Sequence, residues 1–348
     1  MQAFALQSFI ESLGYTCNII DHMGYAESHR KISLIDFSRA NLLKLPYKFS
    51  LENGYRSFES FYTSYMKMGH RYSNYSELLH NPPDSDVFIS GSDQVFNPRD
   101  AKLNRFLLEF VPVTKKRMSY AASIGDASIP EEKQFMYTEN LEKFDAISVR
   151  EKQAQAILSD LTSRPAQINC DPIFLLDKQK WESLEKPVSG LHPEFILCYM
   201  LYIPAWYEEW IYTFKRKTGL EVVCVGLDGY RRIYHDHYIR NAGPAEFLWL
   251  INHAKIVISS SFHGNAFSIL FGKPLISILD PKRPDRIHNL LSLFGLEECE
   301  MYEDDSQLDI CSYPYEPINR TIERIREESR KYLCENIEYR NSRNGSNE

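Results

Sequence analysis

The residue best placed to do chemistry in this chain is His263, which stands where an apolar strand gives way to a helix. The stretch reads Ala254-Lys-Ile-Val-Ile-Ser-Ser-Ser-Phe-His-Gly-Asn-Ala-Phe-Ser-Ile-Leu-Phe-Gly-Lys-Pro-Leu-Ile-Ser-Ile278. Ile256 to Ile258 predicts a buried strand, the small polar residues and Gly264 a turn, and the apolar pattern beyond them a helix. Lys273-Pro274 then leads into a second strand. In open α/β sheets such a strand-to-helix point faces the ligand crevice, and the N–H groups of the helix start favour an anion. An imidazole beside an anion site suits acid–base chemistry on a phosphorylated substrate. A lone histidine can also be a hydrogen-bonded structural residue, but Gly264 and the helix start tilt this one toward chemistry.

Three further clusters fall at predicted carboxyl ends of strands. In Ser90-Gly-Ser-Asp-Gln-Val-Phe-Asn-Pro98, small residues allow close backbone approach to a ligand, and Ser92, Asp93 and Gln94 offer groups for hydroxyls. Asp93 reads equally well as a cap of a helix or turn. In Ser148-Val-Arg-Glu151, Arg150 can present a two-pronged fork to a carboxylate or phosphate; an exposed ion pair with Glu151 is the plainer alternative. Ser119-Tyr-Ala-Ala-Ser-Ile-Gly125 could line a pocket through Tyr120, Ser123 and the Gly125 backbone, or be a simple strand and turn. Past the last strand, Asp280-Pro-Lys-Arg-Pro-Asp-Arg286 carries Lys282, Arg283 and Arg286. Arg286 opens an apolar helix and is the better placed of the three.

The elements that must position these residues alternate strand and helix, which argues for a parallel sheet covered on both faces. Strands are predicted at Tyr15–Asp21, Asp86–Ser90, Arg117–Ala121, Asp145–Val149 and Ala166–Cys170. A second series comprises Phe195–Leu201, Glu221–Val225, a short strand near Arg231–Tyr234, 255–259 and 274–279. Helices are expected at Pro130–Phe144, Glu151–Leu161, Ala205–Lys217 and from Gly243-Pro244. Residues 22–80 form a helical, Tyr-rich insertion without a strong strand, and Asp177–Pro193 reads as a linker. Expected domains are 1–180, 181–316, and a terminal helix with a frayed tail over 317–348. The opening, Met1 to Gly14, already has helical spacing. A βαβ fold would place a strand before it, so the first strand reads as missing and the start as truncated.

A chain of 348 residues can bury two cores. The formal charge of −7 speaks against a nucleic-acid partner, which would call for a basic stripe. Seven scattered cysteines without CxxC spacing argue for reduced thiols and a reducing compartment rather than a metal site or disulfide framework. No apolar run reaches membrane-spanning length. Walker, GxGxxG, HExxH and GxSxG signatures are all missing.

Taken together, Gln2-Ala-Phe-Ala-Leu-Gln7, Gly91-Ser-Asp-Gln-Val-Phe-Asn-Pro98, Tyr120-Ala-Ala-Ser-Ile-Gly125, Ile147-Ser-Val-Arg-Glu151, Asp171-Pro172, Gly243-Pro-Ala-Glu-Phe247 and Ser261-Phe-His-Gly264 resemble the polysaccharide pyruvyl transferase family, in order, as far as about Leu296. The resemblance implies a GT-B-like pair of Rossmann-like α/β domains with a cleft between them. It implies transfer of the enolpyruvyl group of phosphoenolpyruvate onto two hydroxyls of a hexose in a surface or capsular polysaccharide precursor, with phosphate released. His263 would then be the catalytic histidine and Arg150 a phosphoenolpyruvate-binding arginine. Gly264 and Ser261 would supply contacts at the helix start, with Arg286 beside them, while Asp93, Gln94, Ser92 and Ser123 would meet substrate. Phosphoenolpyruvate is the co-substrate, and no cofactor or metal is expected. The acceptor sugar can be carried on a lipid-linked oligosaccharide, which places the enzyme in the cytoplasm, peripheral to the inner face of the membrane. The family pattern has a strand and an Asn-Tyr-Gly-type loop before Leu-Gln-Ala that this sequence does not show. A nucleotide-sugar glycosyltransferase of GT-B type and a catalytically silent carbohydrate-binding or assembly protein remain the alternative readings.

Overall fold

Short runs rich in Ile, Val and Phe, each bounded by small polar residues, fold here as parallel strands. The computed structural model describes residues 1–22, 56–226, 233–240, 242–282, 285–302 and 314–338. The chain divides into two compact units. The first comprises Met1–Gly24, Met66–Leu176 and Glu323–Glu348, and the second Tyr25–Tyr65 and Asp177–Ile322. Both are α/β with parallel sheets, the fold class expected of the sequence.

In the first unit, β1 (Ile19–His22) pairs in parallel with β2 (Met68–Tyr72). β3 (Val87–Ser90) pairs with β4 (Lys116–Ser119), and β5 (Ile147–Val149) with β6 (Ala166–Ile168). Parallel bridges Met118↔Ala146 and Ala122↔Val149 link β4 to β5, so β3-β4-β5-β6 run as one layer. Because both faces of such a layer are covered, β5 is buried at every residue. Helices Glu131–Leu141 and Lys152–Ser159 flank it. Phe96, Tyr137, Leu141 and Phe144 fill the core without exposure, and the Tyr137 hydroxyl donates to the Phe96 carbonyl at 2.6 Å. The later part of the helix Tyr315–Ile337 belongs to this unit: Tyr332 donates to the Ser119 carbonyl at 2.8 Å.

The second unit is built on one six-stranded sheet in the order β12-β11-β10-β7-β8-β9, with every pairing parallel. The strands are β7 (Ile196–Tyr199), β8 (Val222–Val225), β9 (His237–Ile239), β10 (Ile256–Ser259), β11 (Leu275–Ile278) and β12 (Glu300–Met301). From β7 the chain builds outward to β8 and β9; from β10 it builds the other way to β11 and β12. The strand order therefore reverses between β7 and β10, the place where open α/β sheets bind ligands.

Several expectations change. Residues 68–72 form a strand within the stretch read as strandless, and residues 23–55 of that insertion lie outside the described residues. The strand expected near Arg231–Tyr234 is found at His237–Ile239, while residues 231 and 232 are not described. Asp177–Pro193 is not a bare linker: the helix Lys178–Glu182 carries Trp181, fully buried edge-on against Phe267 with ring centroids 5.0 Å apart. An indole that has lost all its solvent contact is a packing anchor. The tail from residue 339 is outside the described residues. The described cysteines, Cys17, Cys170, Cys198, Cys224, Cys299 and Cys334, are free thiols. No helix among the described residues is long and apolar enough to cross a membrane.

Candidate functional site

Candidate functional side chains gather at strand ends in each unit. In the second unit they lie at the reversal between β7 and β10. Three successive serines stand at the end of β10, and the hydroxyls of the first two have separate tasks. Ser259 Oγ donates to the Tyr199 carbonyl at 2.9 Å and accepts the Ser261 N–H at 3.1 Å. Ser260 Oγ accepts the N–H groups of Leu201 and Tyr202, both at 2.8 Å, and donates to the Tyr202 carbonyl. These bonds fix the turn to the end of β7. Ser261 is the N-cap of the helix Phe262–Phe271, whose first turn has neither a side-chain cap nor an acidic residue. The first intrahelical bond runs from Asn265 N to Ser261 O at 3.0 Å, so the N–H groups ahead of it point out of the helix start.

Gly264 is required there by space. A Cβ at this position would lie 2.2 Å from Ser259 Oγ and 3.0 Å from Tyr199 Cδ1. His263 is the only residue from 261 to 271 that is not buried; its ring is half-buried, with Nε2 inward. It packs edge-on against Phe262 with centroids 5.4 Å apart, and the Arg286 guanidinium lies over the same Phe262 ring at 5.5 Å. The structure thus brings His263, Gly264, Ser261 and Arg286 together at one helix start. Lys282 is exposed, and Arg283 is outside the described residues.

In the first unit Arg150 emerges from the end of β5 among three carboxylates. Its Nη1 lies 2.6 Å from Asp171 Oδ2, its Nε 3.1 Å from Glu151 Oε1, and its Nη2 3.6 Å from Asp93 Oδ1. Burial by itself would loosen the arginine's proton, but Glu151, Asp171 and Asp93 more than offset this and raise its pKa above the ordinary arginine value. The plainer expectation of an ion pair with Glu151 is met, though the pair is buried rather than exposed. Asp171 Oδ2 also accepts from Gln2 Nε2 at 2.7 Å and Ser92 Oγ at 3.4 Å, while its Oδ1 accepts the Ile173 N–H at 3.1 Å. One carboxylate therefore ties the ends of β3, β5 and β6 to the first helix.

Asp93 holds φ +86°, a conformation that costs a non-glycine residue of order 1–3 kcal/mol and persists only when the surroundings enforce it. Its carbonyl accepts the N–H groups of Val95 and Ser123 at 2.7 and 2.8 Å, which supplies that enforcement. It is no side-chain cap for the short turn that follows. Ser123 is fully buried and serves this frame. Gln94 accepts from Asn97 Nδ2 at 2.9 Å and packs against Gly125. Ser92, Asp93 and Arg150 are thus brought together, while Gln94 and Ser123 support them from behind. Gln2, and the part Asp171 plays, escaped sequence reasoning; the signal was Asp171-Pro172 directly after a predicted strand. Among the described residues, no three His, Cys, Asp or Glu side chains come together in a way that could hold a metal ion.

A family model described as Polysaccharide pyruvyl transferase matches residues 1–280. Two solved structures are similar across most of their length. The UDP-GlcNAc 2-epimerase from Methanocaldococcus jannaschii is 10% identical with TM-score 0.48, covering 94% of this chain and 90% of that one. The UDP-GlcNAc 2-epimerase from Neisseria meningitidis bound to UDP-GlcNAc is 11% identical with TM-score 0.49, covering 97% of each. No curated protein matches the chain in sequence.

Proposed function

Because the chain belongs to the polysaccharide pyruvyl transferase family, we propose that it moves the enolpyruvyl group of phosphoenolpyruvate onto two hydroxyls of a hexose in a polysaccharide precursor. The observation that carries this reading is the arrangement of the second unit: an uncapped helix start at the strand-order reversal, with His263 its one residue not buried and Arg286 over the adjoining ring. Helix N–H groups and a guanidinium suit a phosphate ester, and a half-buried imidazole suits the proton transfers its chemistry requires.

In this reading C3 of the enol takes a proton, which makes C2 electrophilic. A sugar hydroxyl adds to C2 and gives up its proton. The C2–O bond to phosphate breaks, phosphate departs with the electron pair, and the second hydroxyl adds to C2 and gives up its proton to close the ketal. His263 carries protons in this sequence, and Arg286 with the helix start holds the phosphate. In the first unit, Arg150 offers its Nη2 side, 3.6 Å from Asp93, to an anionic group of a substrate. Asp93, its side chain 48% exposed, then serves the acceptor hydroxyl. A cytoplasmic enzyme acting on a lipid-linked acceptor accords with this chemistry, as the donor is a cytoplasmic metabolite.

The test is incubation with phosphoenolpyruvate and candidate glycans, reading phosphate release and the mass of the added ketal. Ketal formation without added nucleotide sugar is the expected result. Transfer that runs only with a nucleotide sugar would replace the reading with a glycosyltransferase.

A further inference from the structure

From Glu323 on, the helix Tyr315–Ile337 belongs to the first unit, and one residue breaks its apolar stripe there. Ile325 and Leu333 are buried, and Ser329, four residues from each, has no exposure at all. A hydroxyl at a core position is costly unless hydrogen bonds replace the water it has lost. Those of Ser329 leave the helix for one dipeptide. Its Oγ accepts the Cys170 N–H at 3.3 Å and the Asn169 Nδ2–H at 3.4 Å, and lies 3.2 Å from Cys170 Sγ. With both lone pairs engaged, the hydroxyl proton is left for the sulfur.

That dipeptide stands directly before Asp171 and grips the strand that carries Arg150. The Asn169 N–H donates to the Val149 carbonyl at 3.0 Å, and its Oδ1 accepts from Ser148 Oγ at 2.7 Å. Val149 and Ser148 are the two residues of β5 that precede Arg150. Three residues back on the helix, Arg326 holds the segment on the other side of Asp171. Its Nε donates to the Phe174 carbonyl at 2.8 Å and its Nη2 to the Leu176 carbonyl at 3.2 Å. Asp171 is thus bracketed by two attachments to one helix, and its carboxylate meets Arg150 Nη1 at 2.6 Å.

We propose that Ser329 is a positioning residue: through Asn169 and Cys170 it fixes the place of Asp171, and so the direction in which Arg150 presents its guanidinium. The inference rests on the reading of Arg150 as a contact for an anionic substrate, with phosphoenolpyruvate as the probe. Without the Ser329 oxygen, the Cys170 N–H and the Asn169 amide lose a common partner in the interior. The segment before Asp171 then shifts to satisfy them, and the ion pair moves with it.

Three variants and three measurements test this. Ser329→Ala removes the oxygen, Ser329→Thr keeps it, and Ile325→Val loosens the packing of the same helix one turn away. The readings are calorimetric binding of phosphoenolpyruvate, Tm, and solvent exchange of the Arg150 Nε–H by nuclear magnetic resonance, its signal identified by loss in Arg150→Lys. Ser329→Ala should bind phosphoenolpyruvate about fivefold more weakly, the factor equivalent to one hydrogen bond of about 1 kcal/mol. Its Arg150 Nε–H should exchange faster. Ser329→Thr should stay within about twofold of wild-type affinity, since the hydroxyl remains. Ile325→Val should lower Tm and leave both affinity and exchange as they were. Wild-type affinity or exchange in Ser329→Ala overturns the proposal, as does a Ser329→Thr protein as weak as Ser329→Ala. Equal weakening in Ile325→Val also overturns it, because the serine would then act through helix packing alone. A wild-type protein that ignores phosphoenolpyruvate, while the Arg150 Nε–H still exchanges faster in Ser329→Ala, overturns the substrate reading and leaves the positioning role standing.

Discussion

Arg150 and Asp171 form an ion pair shut away from water, Nη1 to Oδ2 at 2.6 Å, with the two side chains 4% and 1% exposed. A charge so buried is tolerable only while its partner remains, because removing one member strands the other in a low-dielectric setting. Asp171→Asn keeps the size of the side chain and discards its charge. It should lower stability by about 3 kcal/mol, toward the low end for a broken buried pair because Glu151 still faces the guanidinium. Asp93→Asn removes a half-exposed carboxylate 3.6 Å from the same arginine and should cost less than about 1 kcal/mol. Urea midpoints of the two variants compare them directly. Equal losses would mean that Asp171 does not anchor the cluster.

Gly264 and Ser259 set how closely the His263 helix approaches β10. Gly264→Ala places a methyl 2.2 Å from Ser259 Oγ, so helix or strand must shift. Overpacking of this kind costs about 1–3 kcal/mol, and the displaced first turn carries His263 with it. Ser259→Ala removes the oxygen in the way but also two hydrogen bonds, and the remaining Cβ still lies 3.0 Å from the new methyl. The double variant should therefore recover part of the stability lost in Gly264→Ala. Additive losses in thermal unfolding would argue that the glycine answers to something other than this contact.

The second-unit site was legible because strand, turn and helix follow one another in sequence, so local spacing alone puts Ser261, His263 and Gly264 at one place. The Arg150 cluster was not. Gln2, Ser92, Arg150 and Asp171 are brought together only by tertiary folding, and nothing local to Arg150 tells which acids will surround it. The strand Met68–Tyr72 was hidden for a different reason. Met-Gly-His-Arg-Tyr has no apolar alternation, and only Tyr72 is buried; its pairing to β1 is carried by backbone bonds. Trp181 was concealed by the prolines and glycine downstream, which gave a packed helix the composition of a linker.

His263 and Arg286 share the Phe262 ring, yet their substitutions should separate kinetically. His263→Ala removes the proposed proton carrier and should lower kcat by about 10²- to 10⁴-fold, the usual range for general acid–base help. Arg286→Met keeps a long side chain over the ring and loses the charge, so it should raise KM for phosphoenolpyruvate with a smaller change in kcat. Steady-state kinetics of both variants decide the matter. A His263→Ala enzyme with near-normal turnover would remove the histidine from the chemistry.

Asp236 makes the stability of the second unit depend on pH. Burial acts to raise its pKa, but the Lys215 ammonium and the Val222 N–H, which its Oδ2 accepts at 2.8 Å, more than offset this and hold it below the usual aspartate range. A carboxyl depressed by folding lends stability that is fully present above its unfolded pKa and is lost as pH falls through the folded one. The contribution should therefore be complete near neutrality and fade below about pH 4. Asp236→Asn retains an oxygen for the Val222 N–H and removes only the charge. Wild type should have the higher Tm at pH 6, and the gap should narrow at pH 3, where the aspartate is itself being protonated. The Lys215 side of the pair is solvent-accessible, so added salt should shrink the gap at pH 6 as well. A difference in Tm that stays constant from pH 6 to pH 3 would show that the hydrogen bond to Val222, and not the charge, is what Asp236 contributes.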